Sequence, residues 1–167
     1  IKQIGLMTAD PNCFWNESRI LCIAELAEFC RMDKVFLMSD GVDAVEGAMK
    51  LVRKWAYLKK EVKLNEAEII FCENNFHGRT LAAISASTTE EYRRPFGPHL
   101  PGIVIIPFGD AEALARAITP RTAAFFVEPI QGEGGIIVPP AEYLARVRKI
   151  CTEQRVVFVA DEIQTGF

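Results

Sequence analysis

One stretch near the end of the chain decides the fold: Val156-Val157-Phe158-Val159-Ala160-Asp161-Glu162-Ile163-Gln164. It begins with a run of apolar residues, mostly β-branched or aromatic, which is typical of a strand buried on both faces of a parallel sheet. The run leads directly into Asp161 and Glu162, so these acids lie at the carboxyl end of the strand. In an open parallel sheet that edge lines the ligand crevice. An acid at a strand end is as typical of a turn or a helix cap, so the rest of the chain must decide between a binding role and a structural one.

Length and composition restrict the class of protein. The 167 residues carry a net charge of -3, and half of them are apolar while a quarter are charged. This balance excludes a strongly basic nucleic-acid binder, and no stretch approaches the ~18 apolar residues that a membrane span needs. We therefore predict a soluble, globular, one-domain chain without nucleic-acid or membrane partners. Because Ile1 is not a natural start and the chain stops soon after its strongest acid cluster, we also predict that both ends are cuts through a longer protein.

The cysteines indicate the redox environment. The chain has five, at positions 13, 22, 30, 72 and 151, without any C-x-x-C pair. An odd number of unpaired cysteines is typical of reduced thiols in a reducing compartment, where they serve as small buried hydrophobic residues. We therefore predict a cytoplasmic protein, or a mitochondrial matrix protein if the source is eukaryotic. The chain has only two histidines, His77 and His99, which together with the cysteine spacing argues against a metal site.

Strand and helix patterns alternate along most of the chain. Short apolar runs predict strands at residues 35–38, 68–72, 103–106, 123–127 and 156–160. Helical spacing predicts helices at residues 16–31, 42–60, 81–86, 111–118 and 141–153, the first largely buried and the last opened by Pro139 and Pro140. Residues 1–15 and the proline-rich residues 90–102 are predicted to be irregular. The alternation predicts an α/β fold: a mostly parallel sheet with helices on both faces and a site at the carboxyl ends of the strands.

The loop before the second helix has two interpretations. Gly41 lets backbone amides crowd together at the start of the helix that begins at Val42, and such amides favour an anion such as phosphate. An ordinary strand-to-helix turn explains the same residues. The neighbouring Asp40 favours the turn, because a negative side chain beside a phosphate costs energy unless it points away or is paired.

Two further loops carry polar and aromatic side chains. Phe76 and His77 are typical of lids over a core, but they would also suit a planar ligand. Arg79 is either a solvated surface charge or a bidentate clamp for a carboxylate, and an ion pair with Glu133 would suit its loop. The chain contains no G-x-G-x-x-G before a helix, no G-x-x-x-x-G-K-[ST] and no G-x-S-x-G. A nucleotide-binding fold and a serine hydrolase therefore lose support.

Three loop motifs together resemble one enzyme family. In order and spacing, the chain is similar to the class III pyridoxal-phosphate aminotransferases at Asn75-Phe76-His77-Gly78-Arg79-Thr80, Val127-Glu128-Pro129-Ile130-Gln131-Gly132-Glu133-Gly134-Gly135 and Ala160-Asp161-Glu162-Ile163-Gln164-Thr165-Gly166. The resemblance extends over essentially the whole chain. It implies that residues 1–167 are a partial cofactor-binding large domain of a fold-type I enzyme, truncated at both ends. It also implies a homodimeric parent protein that uses pyridoxal 5'-phosphate.

An activity follows from the same resemblance. The parent protein would transfer an amino group from ornithine, or a related ω-amino acid, to 2-oxoglutarate. N-acetylornithine is the alternative amino donor, because His77 takes the place of the tryptophan usual in the ornithine branch of the family. A degenerate, non-catalytic family member is a further alternative. A third alternative, a dinucleotide-binding domain, is supported only by the alternation of strands and helices.

Cofactor-binding roles follow from the resemblance position by position. Asp161 is the expected catalytic residue, since it matches the aspartate that keeps the pyridine nitrogen protonated, and a protonated ring is a better electron sink. Phe76 would stack on the ring, Ile163 would pack near its opposite face, and Gln164 would lie by the ring hydroxyl. The phosphate-cradling amides would be those of Gly41 and Val42.

Three other positions match substrate-binding residues of the family. Arg79 resembles the arginine that holds the α-carboxylate of glutamate or 2-oxoglutarate. Glu133 matches the glutamate that pairs with this arginine when ornithine reacts through its side-chain amine. Glu128 matches an acid that helps to shape the crevice.

The chain departs from the family pattern at the phosphate loop and at the lysine. Where the family usually reads Asn-Thr/Ser-Gly-x-Glu-Ala, this chain has Ser39-Asp40-Gly41-Val42-Asp43-Ala44, which weakens the case for tight phosphate binding. The family's Schiff-base lysine lies beyond Gln164, after the end of this chain. Solvated helix charges are the expected role of Lys50, Lys54, Lys59, Lys60, Lys63 and Lys149. The chain alone is therefore expected to be inactive.

Overall fold

A computed structural model describes residues 16–166, and the chain divides into two compact units, residues 1–38 and 39–167. In the first unit, helix α1 spans Glu17–Cys30 and is capped by Asn16, whose side chain accepts the Arg19 amide at 3.1 Å. The helix is where the apolar spacing predicts it, but none of its residues is buried, and Leu21 is 55% exposed. The predicted burial is therefore wrong, because periodicity identifies the apolar face of a helix but not what covers it.

No strand forms at residues 35–38, although the sequence predicts one there. A short apolar run becomes a strand only when a neighbouring strand completes its hydrogen bonds. Among residues 16–166, no strand pairs with this run. The predicted irregular entry, residues 1–15, lies outside the described residues.

The second unit is built on a four-stranded sheet. Its strands are β1 (Glu68–Cys72), β2 (Ile103–Ile106), β3 (Thr122–Val127) and β4 (Val157–Ala160). They lie in the order β2-β1-β3-β4, and every pairing is parallel. The chain moves from β1 to β2 on one side and then returns to β3 on the other, so the strand order reverses beside β1. Ligands of open α/β sheets bind outside the carboxyl ends of the strands at such a switch point.

Helices cover both faces of this sheet, as the alternation predicts. They are α2 (Gly41–Lys59), α3 (Leu81–Ala86), α4 (Glu90–Arg93), α5 (Ala111–Ala117) and α6 (Tyr143–Glu153), with a 3₁₀ turn at Arg94–Phe96. On one face α2 packs on Ile69 and Phe71, and on the other α5 and α6 pack on Ile70 and Cys72. Successive β1 residues thus enter opposite cores, which explains why this strand is apolar without interruption. The α/β fold class is confirmed.

Three local predictions need correction. Strand β4 lies at the sheet edge, and its first three residues are half-buried, so the expected burial on both faces is wrong. Helix α6 begins at Tyr143, because Glu142 adopts a left-handed φ of 69° and separates the prolines from the first turn. The region predicted to be irregular, residues 90–102, contains α4 and the 3₁₀ turn. Prolines exclude a long helix from such a segment, but they leave room for single turns.

The cysteines divide between core and surface. Cys72 and Cys151 are buried, as predicted, whereas Cys22 and Cys30 are exposed on α1, so the prediction of burial is wrong for this pair. All four are free thiols. Cys13 lies outside the described residues. Within residues 16–166, no helix combines the length and the apolar character that crossing a membrane requires.

Candidate active site

The candidate site lies where three strands end. The loop after β1 supplies Phe76 and His77, the residue after β3 is Glu128, and the residue after β4 is Asp161. Because the strands are parallel, their carboxyl ends share one edge, and residues far apart in sequence meet there. This edge is the one that the sequence predicts.

A buried carboxylate and imidazole pair forms the centre of the site. Nδ1 of His77 lies 2.7 Å from Oδ2 of Asp161, and the two side chains are only 1% and 8% exposed. The second oxygen, Oδ1, accepts the amide of Ile163 at 3.2 Å. An ionised carboxylate only accepts hydrogen bonds, so Nδ1 of His77 carries the proton that joins the pair. The interaction holds the Asp161 side chain in one orientation at the mouth of the crevice.

The imidazole of His77 packs against two neighbouring aromatic rings. Its ring lies 5.4 Å from that of Phe71 and 6.2 Å from that of Phe126, measured between centroids. Its Nε2 is buried and has no hydrogen-bond partner among the described residues. The sequence suggested His77 as a lid, as a contact for a planar ligand and as a marker of the substrate branch, but not its contact with Asp161. A histidine directly after Phe76 in a crevice loop was the available signal.

Glu128 ties two crevice loops together. Its Oε2 accepts the amide of Phe76 at 3.0 Å, and its Oε1 accepts the amide of Gly132 at 3.3 Å. The carboxyl is buried, and this burial raises its pKa above 4.5, although the hydrogen bond from Phe76 acts in the opposite direction. In this structure Glu128 therefore holds the loop after β1 against the loop after β3.

The raised pKa of Glu128 predicts a pH-dependent stability difference. Because the folded state holds this proton more tightly than the unfolded state, ionised Glu128 costs stability as pH rises from about 4.5 through its folded pKa, and the cost is constant above that. The free energy of unfolding of Glu128→Gln, minus that of the wild type, should therefore increase over this window. A glutamine at position 128 can accept only one of the two amides. This loss changes the free energy of unfolding of the variant by the same amount at every pH. Urea titrations across the window measure the difference, and a pH-independent value would contradict the prediction.

Seven of the nine site residues expected from sequence line one cavity. The cavity also includes His77 and Gly78, while the expected residues that line it are Gly41, Val42, Phe76, Glu128, Asp161, Ile163 and Gln164. No lysine among the described residues lines this cavity.

Arg79 and Glu133 lie outside this cavity. The guanidinium carbon of Arg79 is 3.8 Å from the centre of the Tyr92 ring and 6.0 Å from that of Phe76. Glu133 accepts a long hydrogen bond of 3.4 Å from Nε2 of Gln164. The expected ion pair between Arg79 and Glu133 is therefore not formed within the described residues. Tyr92 provides an alternative partner for the cation, and it was missed because it lies on α4, in the segment predicted to be irregular.

The first turn of α2 forms another wall of the cavity. Gly78 has a φ of +117° and lies against this turn, so that a Cβ added at position 78 would come within 2.2 Å of Cγ2 of Val42. Gly41 lies directly against Ile163, since an added Cβ at position 41 would be only 3.1 Å from Cδ1 of Ile163. The two glycines allow the loop after β1, the start of α2 and the segment after β4 to approach one another closely.

Comparison with known proteins gives consistent matches. The family model for class-III aminotransferases matches residues 2–167. An ornithine aminotransferase from Bacillus cereus is 51% identical over 166 residues, which cover 99% of this chain and 42% of that protein. A crystal structure of the ornithine aminotransferase from Toxoplasma gondii superposes with a TM-score of 0.97 at 43% identity, over 99% of this chain and 39% of that one. A structure of the acetylornithine aminotransferase from Elizabethkingia anophelis has a TM-score of 0.80 at 33% identity, over 99% of this chain and 37% of that one.

The parallel sheet and the crevice at its carboxyl edge define the class: an α/β domain of the fold-type I pyridoxal-phosphate enzymes. Within this class, the chain belongs to the class III aminotransferase family. This membership replaces the alternative of a dinucleotide-binding domain. The chain spans only about 42% of the length of the curated relative from Bacillus cereus.

Proposed function

We propose that the protein carrying this chain transfers the amino group of ornithine, or of a close ω-amino acid, to 2-oxoglutarate on pyridoxal 5'-phosphate. The observation that carries the proposal is the buried Asp161 carboxylate, held by His77 at 2.7 Å in a cavity that Phe76 and Ile163 also line. A carboxylate in such an apolar crevice suits a protonated ring nitrogen. The names of the relatives at about half identity support ornithine as the amino donor.

The residues present fit the ring end of the cofactor. Phe76 offers an aromatic face and Ile163 an aliphatic one. Of the two acids that follow β4, Asp161 is the one whose side chain is buried beside them. When bound, pyridoxal 5'-phosphate supplies an electron sink for the carbon from which a proton is removed. This arrangement supports the proposed roles of Phe76 and Ile163 as the two walls of a flat slot. Gln164, on the rim of the same cavity, is proposed to meet the ring hydroxyl.

Asp161 and His77 have separate tasks in this proposal. The Asp161 carboxylate keeps a proton on the ring nitrogen by ionic hydrogen bonding. The His77 Nδ1 proton fixes the orientation of that carboxylate, since Oδ2 is occupied by the imidazole and Oδ1 by the Ile163 amide. The rings of Phe71 and Phe126 beside His77 exclude water from this pair. His77 is therefore a positioning residue, and Asp161 is the catalytic one.

The test uses the full-length protein and two amino donors. Absorbance titration with pyridoxal 5'-phosphate establishes cofactor binding, and product formation from 2-oxoglutarate is then compared for ornithine and N-acetylornithine. We expect ornithine to have the higher kcat/KM. Failure to bind the cofactor would reject the enzyme and favour a degenerate, non-catalytic family member.

N-acetylornithine is the second candidate donor. His77 occupies the position that is tryptophan in the ornithine branch, and the acetylornithine aminotransferase from Elizabethkingia anophelis superposes over 99% of this chain. A higher kcat/KM for the acetylated substrate in the same comparison would establish this assignment and reject ornithine.

Arg79 is proposed to hold the α-carboxylate of glutamate and 2-oxoglutarate. It is exposed, and its guanidinium stacks on Tyr92, so its hydrogen-bonding edge remains available for a bidentate contact with a carboxylate. In the full-length protein, Arg79→Ala should slow the glutamate half-reaction about 10-fold or more beyond any loss in the ornithine half-reaction. Single-turnover kinetics with each donor measure this difference.

Arg79→Lys is the matched variant, because it keeps the positive charge but lacks the planar donor pair. We expect it to fall between the wild type and Arg79→Ala in the glutamate half-reaction. Equal losses in both half-reactions for Arg79→Ala would reject the clamp. Glu133 is proposed to be the alternative ionic partner of Arg79. Glu128 is proposed to be the acid that shapes the crevice.

We further propose that the parent protein is a cytoplasmic homodimer in which residues 1–167 are part of the large domain. The free thiols of Cys22, Cys30, Cys72 and Cys151 support a reducing compartment. The exposed apolar side chains of α1 support a covered surface in the assembled protein. Sedimentation equilibrium of the full-length protein measures the oligomeric state, and a monomer would reject the dimer.

A further inference from the structure

The start of α2 carries two carboxylates that bond to its own backbone. Oδ1 of Asp40 accepts the amide of Asp43 at 2.8 Å, and Oδ2 of Asp43 accepts the amide of Ser39 at 3.1 Å. Asp40 is thus the N-cap of the helix, and Asp43 accepts the amide of Ser39, the residue before that cap. The two bonds satisfy amides that would otherwise be free donors.

The same turn is where the proposed cofactor would place its phosphate. Gly41 and Val42 line the cavity, and their amides donate to no acceptor within residues 16–166. His77 also lines the cavity, and its Nε2 is buried without a hydrogen-bond partner among the described residues. Two amides therefore remain for a phosphate, while the amide of Asp43 is already occupied.

The two carboxylates also change the electrostatics of the turn. A helix N-terminus attracts anions because its amides carry partial positive charge. Here the Asp40 carboxylate already accepts one of those amides, that of Asp43, and the Asp43 carboxylate accepts the amide of Ser39 just before the helix. A phosphate at Gly41 and Val42 would therefore lie next to the like charge of the Asp40 cap. In the family pattern the position of Asp40 is a neutral threonine or serine, which caps a helix without that charge.

We propose that Asp40 is a specificity-determining residue that reduces the contribution of the cofactor's phosphate to binding. The inference rests on the proposed function and concerns the phosphate end of the same site. It assigns a larger share of the binding energy to the ring contacts around Asp161 and Phe76. The chain should therefore discriminate less between phosphorylated and unphosphorylated forms of the vitamin than a turn with a neutral cap would.

The experiment compares pyridoxamine 5'-phosphate with pyridoxamine, which differ only in the phosphate. Isothermal titration of the full-length protein gives both Kd values, and their ratio reports the phosphate contribution without depending on activity. Asp40→Asn removes the charge but keeps a good N-cap oxygen. We expect this substitution to lower the Kd for pyridoxamine 5'-phosphate at least ~10-fold, equivalent to about 1.4 kcal/mol. The Kd for pyridoxamine should not change.

Asp110→Asn is the matched control. Asp110 caps α5 in the same way, with its Oδ1 on the Ala113 amide at 2.9 Å, and it does not line the cavity. The control should leave both Kd values unchanged. An unaltered ratio in Asp40→Asn, with both ligands still binding, would overturn the inference and leave the proposed function standing. Absence of binding of either ligand by every variant would overturn the proposed function, and the inference with it.

Discussion

Replacing Asp161 with asparagine in the full-length protein should reduce transamination by on the order of 100-fold or more, while the cofactor remains bound. Asparagine is close in shape and keeps an acceptor oxygen for the Nδ1 proton of His77, so the local structure should persist. It carries no negative charge, however, and cannot hold a proton on the ring nitrogen. The loss should therefore appear in kcat. Steady-state assays combined with the cofactor absorbance spectrum measure both quantities.

Glu162→Gln is the control for this substitution. Glu162 is the next acid in the chain, but it is exposed and bonds to Thr165 at 2.6 Å instead of facing the cavity. Its replacement should leave kcat close to that of the wild type. Near-normal turnover of Asp161→Asn would reject the role of this carboxylate in the chemistry.

Replacing Gly78 with alanine should lower the free energy of unfolding by about 3 to 5 kcal/mol. Two effects add: the φ of +117° is strained for a residue with a side chain, and the new Cβ would lie 2.2 Å from Cγ2 of Val42. Either α2 or the loop after β1 must move, and both line the candidate site. We therefore expect weaker cofactor binding as well as lower stability. Urea unfolding measures the first effect, and titration with pyridoxamine 5'-phosphate measures the second.

Gly135→Ala separates backbone strain from the steric clash. Gly135 has a φ of +112°, but an added Cβ there has no neighbouring atom within 4 Å. This variant should therefore lose only about 1 to 2 kcal/mol. Equal losses in the two variants would show that the contact between Gly78 and Val42 is unimportant.

Local patterns predicted much of the sheet. The observed bounds of β1 and β2 are those expected from the apolar runs, and α2 begins within one residue of its predicted start. These elements are predictable because each is long or apolar enough to show its own period. The location of the site was predictable for a related reason: all four strands run in parallel, so acids and loops at their carboxyl ends must share one edge.

Predictions failed where a second element decides the outcome. The apolar residues 35–38 do not form a strand, and β4 is half-buried at the sheet edge. The cation of Arg79 meets Tyr92, which lies on α4, and not Glu133, which lies on the loop after β3. In each case the residue types suit the predicted structure or contact, but the strand, helix or side chain that would complete it is not the neighbour in the fold. Spacing along the chain carries no information on which of several nearby groups a flexible side chain reaches.

The sequence by itself determined the four strands of the sheet, most of the helices, and the three loop motifs that place this chain in its family. Periodicity and motif spacing are local properties, so they can be read without coordinates. Only the tertiary structure decided that His77 orients Asp161 and that the side chains of Asp40 and Asp43 accept backbone amides at the start of α2. Both depend on distances of a few ångströms between atoms: the first joins residues 84 positions apart, and the second requires a particular turn geometry.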